Sequence, residues 1–520
     1  MDKKSLSRER DALLARGDVA GADHLFDAFL DQRPAEDELI PALIEMVSLR
    51  SFYSNRGSSG HRKTIAGWLN RVEAEFAGTD ELNARLRVLQ FAMNVAHVGF
   101  DSSQHLAAEI DWTLTERDAW VRNVRVFLLT RTGQLDEARA LALSPSTPDD
   151  DDYFRGVRMA LLSMPYVDRT DLGGFQEFAG EAFVCLERCE SLLAQHRLTE
   201  LVSYLARLHL NLGDLQTARN AFEQVAQYAS LHPMVGGFRR SFSDLALLNS
   251  QLGRRDRAEA VLADYRSDEL QSEPSLHDIR HAVVSAQVAL EASNSSLCNE
   301  RMARAAELLE RLPHERYQAH LDVTRALALM KRIEDGAEAG TDDPNRNRAR
   351  QFLQDAESAF RQHASRGGAH GLSRTLIAQG HLHLLCGELR EAFEVCGELR
   401  ELARVHGDLP SEARAITLKS FLLLELSIEH SESLYEEVLR ELGKIHDPEL
   451  RFQALANLYL HTWDLAEQHC DLTGEHLRQL DGLRQHIPAE EFDALYTKYV
   501  SARVLDRYVQ GPKKRRLGFA

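Results

Sequence analysis

An all-α fold, a solenoid or superhelix of stacked antiparallel helix pairs, is what this sequence predicts, and three observations predict it. A segment recurs along the chain: glycine, a polar residue, an apolar residue two after the glycine, alanine five after it and a large residue nine after it. It reads GDLQTARNAF from Gly213, GDVAGADHLF from Gly17 and GELREAFEVC from Gly387, with partial copies after Gly133 and Gly253. Proline is scarce, 13 in 520 residues, and Leu, Ala, Glu and Arg, all good helix formers, dominate the periodic segments. No run of alternating or β-branched residues is long enough to build a sheet. A hairpin repeated in this way cannot bury its apolar face alone, so neighbours stack, here as about twenty to twenty-six helices.

The clearest unit spans residues 199–230. Leu201, Leu205, Leu208 and Leu212 recur at helical steps and form one stripe. Gly213 supplies the left-handed conformation that ends a helix, and Asp214 can cap the next. Leu215, Ala218, Phe222, Val225 and Ala229 form the second stripe. Ala218 is small where the helix axes should approach, and Phe222 fills the wider gap nearby.

This pattern resembles the tetratricopeptide repeat family in its degenerate bacterial form. Residues 17–34 match its second half through Gly17, Ala22, Phe26, Phe29 and Pro34. Residues 376–403 match in both halves, with Gly380 as the close-contact residue, then Gly387 and Ala392. Residues 202–233 match through Ala206, Gly213, Ala218, Phe222 and Pro233, whereas the Gly253 and Gly133 units keep Ala258 and Ala138 and lose the aromatic. The spacing departs from the family: Gly213 to Gly253 is 40 residues and Gly133 to Gly213 is 80, against a repeat of about 34. Residues 64–130, 275–335 and 411–510 are amphipathic with little of the motif.

Loops are expected at 50–63, 144–152, 266–276, 336–347 and near 405–411. The stretch GAEAGTDDPNRN from Gly336, rich in turn formers, is the candidate linker. The expected organisation is therefore a hairpin over 1–49, a repeat array over 64–335, a linker at 336–347, a second array over 348–510 and a basic tail over 511–520.

A net charge of −18 argues against a general nucleic-acid binder. The six cysteines, Cys185, Cys189, Cys298, Cys386, Cys396 and Cys470, lack small-domain disulfide spacing and fit a reducing compartment. The N-terminus has no apolar signal core. The apolar run FLLLELSI from Phe421 is far short of the roughly 18–20 residues of a membrane span. A cytoplasmic protein is expected, with no membrane contact.

Candidate chemistry is thin. His381 and His383 in GHLHLLCG point about 200° apart on a helix and cannot share a metal. Cys185 and Cys189 share a face without a second pair nearby, so no metal or cofactor is implied. A cysteine–histidine protease, of the kind fused to some such arrays, needs a sheet this chain lacks. Neither a phosphate-cradling glycine loop nor an HExxH motif is present. The reading is non-enzymatic. Asp149 to Asp152 read as a solvated acidic loop. Two basic segments could meet phosphate or a base: Arg50, Arg56, Arg62 and Lys63 beside Phe52 and Tyr53, and the tail cluster Lys513, Lys514, Arg515 and Arg516. A solvated loop and a solubilising tail are the competing readings of the two.

The resemblance implies protein–protein recognition, a concave groove lined by the first helix of each pair that receives an extended peptide or a partner's helix. Helical phase then nominates Ser203, Tyr204, Arg207 and Asn211 on the best unit. Arg239, Arg240, Ser243 and Asn249 follow on its neighbour, and Arg374, Gln379 and His383 on the C-terminal one. Three rivals stand beside it: a ligand- or peptide-gated regulatory module, a weak nucleic-acid binder through the basic segments, and a partner or target of a protease in bacterial defence. Oligomeric state is left open.

Overall fold

The computed structural model of the chain describes residues 2–53, 59–76, 79–97, 100–113, 117–145, 150–232, 238–265, 275–335, 344–362, 368–426, 431–461 and 478–498. Among them every regular element is helical. The first ten helices are α1 (Lys3–Ala15), α2 (Val19–Asp31), α3 (Glu36–Tyr53), α4 (Ser59–Phe76), α5 (Asp80–His97), the single turn α6 (Phe100–Ser103), α7 (Ala119–Arg131), α8 (Leu135–Ala142), α9 (Asp152–Asp168) and α10 (Leu172–Glu187). Then come α11 (Leu192–Asn211), α12 (Leu215–Leu231), α13 (Arg239–Gln251), α14 (Arg255–Asp264), α15 (Leu276–Glu291), α16 (Ser295–Arg311), α17 (Glu315–Asp335) and α18 (Pro344–Gln362). The last are α19 (Ala369–Cys386), α20 (Leu389–His406), α21 (Leu409–Leu426), α22 (Ser431–Leu442), α23 (Pro448–His461) and α24 (Ala489–Tyr496). Consecutive helices pack as pairs, α1 on α2, α7 on α8, α9 on α10, α17 on α18 and α19 on α20.

The corners explain why pairs form. Gly213 takes a left-handed φ of 78°, and Asp214 N then donates to His209 O at 2.9 Å, closing the last turn of α11. The Asp214 carboxylate accepts from Thr217 N at 3.1 Å and starts α12. The same closing bond recurs from Asp18 N to Leu13 O and from Arg254 N to Asn249 O, both 2.9 Å, and from Glu388 N to His383 O at 2.8 Å.

Two further corners fall where the glycine motif has no copy. Thr170 (φ 55°) and Ser293 (φ 60°) adopt the left-handed conformation. Asp171 N and Asn294 N close onto Tyr166 O and Ala289 O, each at 2.9 Å. Asp171 and Asn294 cap α10 and α16 through Gly174 N and Leu297 N, at 2.9 and 3.1 Å. The interval from Gly133 to Gly213 thus holds a corner, and so does the motif-poor stretch 275–335. In α10 the small and large positions are also exchanged: Phe175 stands five after the corner and Ala179 nine after, both buried. Total volume is kept while the order reverses, which cores tolerate.

Three expected loops are shorter than anticipated. Helix α3 continues to Tyr53 and α4 starts at Ser59; α18 starts at Pro344, a first-turn position that suits proline. Near 405–411 there is only the corner Gly407–Asp408, with Asp408 capping α21 through Ser411 N at 3.1 Å.

By contact the chain forms two units. The first gathers Met1–Leu205, Ala221–Phe242 and Tyr265–Asp278; the second gathers Ala206–Asn220, Ser243–Asp264 and Ile279 onward. In the first, Phe26, Phe29, Leu30, Leu43, Val72 and Phe91 are fully buried. Phe26 meets Trp68 edge-on at 4.9 Å, and Trp68 Nε1 donates to Asp27 Oδ1 at 2.9 Å. Fully burying one such side chain is worth about 1.5–3 kcal/mol.

In the second unit, corners double as contact points. A Cβ on Gly213 would lie 2.5 Å from Leu450 Cδ2, and one on Gly253 2.5 Å from Ala494 O. Helices α23 and α24 therefore seat directly on these corners, helped by Leu215 N donating to Asp447 Oδ2 at 3.2 Å and by Arg219 pairing with Glu491 at 3.1 Å. Gly380 is a close-contact residue as anticipated, since its Cβ would stand 2.8 Å from Leu418 Cδ2 of α21.

Candidate functional site

Within the second unit the first helices of successive pairs are joined by polar side chains. On α15, Arg280, Gln287 and Glu291 fall on one stripe at 100° per residue. Arg280 Nη2 bonds Asp244 Oδ1 of α13, and Arg207 Nε of α11 stands 3.7 Å from the other oxygen of that carboxylate. Gln287 is the centre: its Nε2 donates to Thr324 Oγ1 of α17 at 3.2 Å, and its Oε1 accepts from Arg374 Nη1 of α19 at 3.1 Å. Glu291 accepts from Ser250 Oγ at 2.6 Å and pairs with Lys498 Nζ at 3.0 Å. Hydrogen bonds thus join α13, α15, α17 and α19 along one seam, and Arg207 extends it to α11 as an ion pair.

The seam is electrostatically uneven. Burial works against the charge of Arg280, but Asp244 and Tyr317 outweigh it and hold the guanidinium firmly protonated. Burial likewise disfavours ionised Glu291, and Lys498 and Ser250 outweigh that, so its carboxyl stays below the usual range. Arg374 goes the other way. Burial first, then repulsion from Arg414 and Arg280, bring it down to about 10, with Glu291 a partial offset. His320 of α17, its ring 4.8 Å from Phe360, is kept neutral by burial and by Arg374 and Arg280.

Of the groove residues nominated from helical phase, Arg207 and Arg374 lie on this seam. Asn211, Tyr204 and Arg240 are half-buried, Tyr204 Oη donating to Glu200 Oε1 at 2.9 Å. Ser203, Ser243 and Asn249 are interior instead, at 5%, 1% and 2% exposure. Asn249 Nδ2 donates to Leu245 O at 2.9 Å, the back-bond that lets a short polar side chain sit inside a helical stack. Gln379 and His383 are turned away from Arg374: Gln379 Nε2 donates to Glu357 Oε2 of α18, and His383 Nδ1 contacts Glu388 Oε2 at the start of α20, each at 2.6 Å. Five and nine residues from Arg374 place them about 140° and 180° around the helix. The side chain of Arg239 lies outside the described residues.

Of the basic segment, Arg50 and Lys63 are described. Arg50 is on α3, 4% exposed, and paired with Asp23 at 3.1 Å, so it is not offered to a phosphate. Lys63 is exposed on α4. Arg56, the Arg62 side chain and Lys513 to Arg516 lie outside the described residues. The acidic run is partly interior, because Asp150 is buried against Arg158 and Asp151 caps α9 through Phe154 N at 2.9 Å. Among the described residues no three His, Cys, Asp or Glu side chains converge as metal ligands would. No described helix is long and apolar enough to cross a membrane.

Arg280, Gln287, Asp244 and Glu291 were not singled out from the sequence. The signal for two of them was Arg280 and Gln287 standing, with His281 and Ser285, among the apolar residues of IRHAVVSAQVAL.

Paired helices, left-handed corners and small close-contact residues make this an all-α helical repeat of the tetratricopeptide-like type. No protein-family model matches the chain, and no curated protein matches it in sequence. Among solved structures it is similar to one titled "Crystal Structure of Rap Protein Complexed with Competence and Sporulation Factor", at 12% identity and a TM-score of 0.37, over 75% of this chain and 98% of that one. Nothing about the ligand of this chain follows from a likeness of that size.

Proposed function

We propose that the chain is a non-enzymatic recognition module, and that its second unit holds an extended peptide or a helix of a partner protein along the polar faces of its first helices. One observation supports this reading above the others: polar side chains of α13, α15, α17 and α19 are joined by hydrogen bonds, with Arg207 of α11 in ion-pair range of Asp244, instead of meeting only through an apolar stripe. Donors and acceptors held in place by packing can satisfy a peptide backbone without first losing their own freedom. The proposed setting is the cytoplasm, where buried thiols such as Cys185, Cys298 and Cys396 stay reduced.

Affinity capture from native lysate with the wild-type chain, Arg207→Glu and Gln287→Leu tests it. The expected result is a protein retained by the wild type and lost from both variants, with helical circular dichroism unchanged. Equal capture by all three removes the seam from the function.

A further inference from the structure

Helix α24 and the lysine that follows it sit where earlier helices of the second unit begin and end. The Glu491 carboxylate pairs with Arg219 of α12 at 3.1 Å and with Arg254, just before α14. Lys498 Nζ donates to the carbonyls of Ser250 and Gln251 at the end of α13, at 2.6 and 3.3 Å. It also reaches Glu291, the last residue of α15, at 3.0 Å. Carbonyls at a helix end have no partner within the helix, and a cation there is favourable. Between the two charges Phe492 meets Phe452 of α23 edge-on at 5.3 Å, and Leu495 is fully buried. Glu491, Leu495 and Lys498 recur at steps of four and three, so they share one helical face. The site therefore reads a short pattern: a glutamate for two arginines, an apolar side chain, then a lysine seven residues after the glutamate.

Two features make the segment exchangeable. A helix of eight residues does not persist alone in water, so α24 is helical only while seated. The seat also contains a conflict. Glu449 of α23, buried, meets Glu491, and Glu449 Oε2 and Glu491 Oε2 are both interior without a donor beside them. Two such carboxylates oppose the contact unless one keeps a proton. Segments held in this way open locally, without unfolding of the rest.

We propose that α24 with Lys498 is a detachable strap that fills, in cis, a docking site for a partner protein's amphipathic helix bearing a glutamate and, seven residues on, a lysine. Charge fixes the direction of that helix. Its glutamate lies against Arg219 and Arg254 and its lysine against Glu291, whereas the reverse direction sets like charges together. The site stands whether or not the seam receives a peptide.

The probe is a fluorescein-labelled, amidated peptide of residues 488–498, beside the same peptide carrying Lys498→Ala. Fluorescence anisotropy is measured with the full wild-type chain and with the full-length double variant Glu491→Ala/Lys498→Ala, which weakens the strap and keeps the site. Lys498→Ala alone replaces the double variant should the latter lose its helical circular dichroism. The variant should bind the peptide at least about tenfold more tightly than the wild type, because a site occupied in cis lowers apparent affinity by its open fraction. The Lys498→Ala peptide should bind the variant at least about fivefold more weakly, having lost a charge-assisted hydrogen bond. In the unsubstituted chain, amides of α24 should be at least about tenfold less protected from hydrogen exchange than those of α19. Equal protection of α24 and α19, a folded variant that binds the peptide no better than the wild type, or equal binding of the two peptides overturns the proposal. A wild-type chain that light scattering finds dimeric, and that the peptide converts to monomer, puts a second copy in the site and overturns the assignment to a partner protein.

Discussion

Replacing Arg374 by glutamine should make the protein more stable, not less. The side chain is only half-buried, yet its guanidinium is brought down to about 10 by burial and by Arg414 and Arg280. An arginine in an unfolded chain titrates at about 12.5 or above, and each pH unit of difference is worth about 1.4 kcal/mol. The ceiling on the penalty is therefore about 3 kcal/mol, and solvent screening reduces it to about 1–2 kcal/mol. The sign follows from linkage. A base whose pKa is lower in the folded state opposes folding while it is protonated in both states. The penalty is complete below pH 10 and fades as the folded-state group loses its proton above that. Glutamine carries no charge. Urea unfolding at pH 7, followed by circular dichroism, should give Arg374→Gln a higher midpoint, equivalent to about 1–2 kcal/mol. The gain should shrink at pH 10.5. A variant less stable than the wild type by about 1 kcal/mol or more would refute the reasoning, because it would mean a counter-charge inside the fold already anchors Arg374.

Three further expectations concern the scaffold. Gly371 on α19 would place a Cβ 2.3 Å from the ring of fully buried Phe360, so Gly371→Ala should destabilise by about 1–3 kcal/mol through overpacking, read from the urea midpoint. His196 is fully buried, its Nδ1 2.9 Å from the Tyr228 hydroxyl, and burial brings it down to about 3. Only the unfolded chain takes up that proton as pH falls below about 6.5, so stability should fall on acidification and His196→Phe should flatten that limb of the pH profile. Glu449 on α23 is pushed up by burial and by Glu491 on α24, so it favours the folded state while protonated. Thermal stability should drop as pH rises from 5 to 9, and Glu449→Gln should lessen the drop.

What a sequence reader can find here is set by which residues are forced. The Gly17, Gly213 and Gly387 corners were legible because glycine adopts a left-handed φ without a steric penalty. Thr170 and Ser293 were not, because the corner needs the conformation and the cap, and glycine is only the easiest way to reach it. The capping signal was nonetheless present in Asp171 and Asn294. The small–large order in α10 hid that pair for a related reason, since packing constrains summed volume and not which position holds it. At the site, Arg207 and Arg374 came from helical phase, which the neighbouring motif copies fixed. Phase was unanchored on α15, whose corner lacks glycine, so Arg280 and Gln287 went unnoticed. Ser203, Ser243 and Asn249 show the opposite limit: polarity alone does not place a short side chain at the surface, and Asn249 bonds within its own helix instead.

The most direct test of a partner surface on the first helices is amide hydrogen exchange of the full chain, alone and with the protein it captures. The account predicts added protection concentrated on α15, α17 and α19, with α16, α18 and α20 unchanged. Protection confined to the second helices, or none on α15 and α19 in a saturated complex, would contradict it.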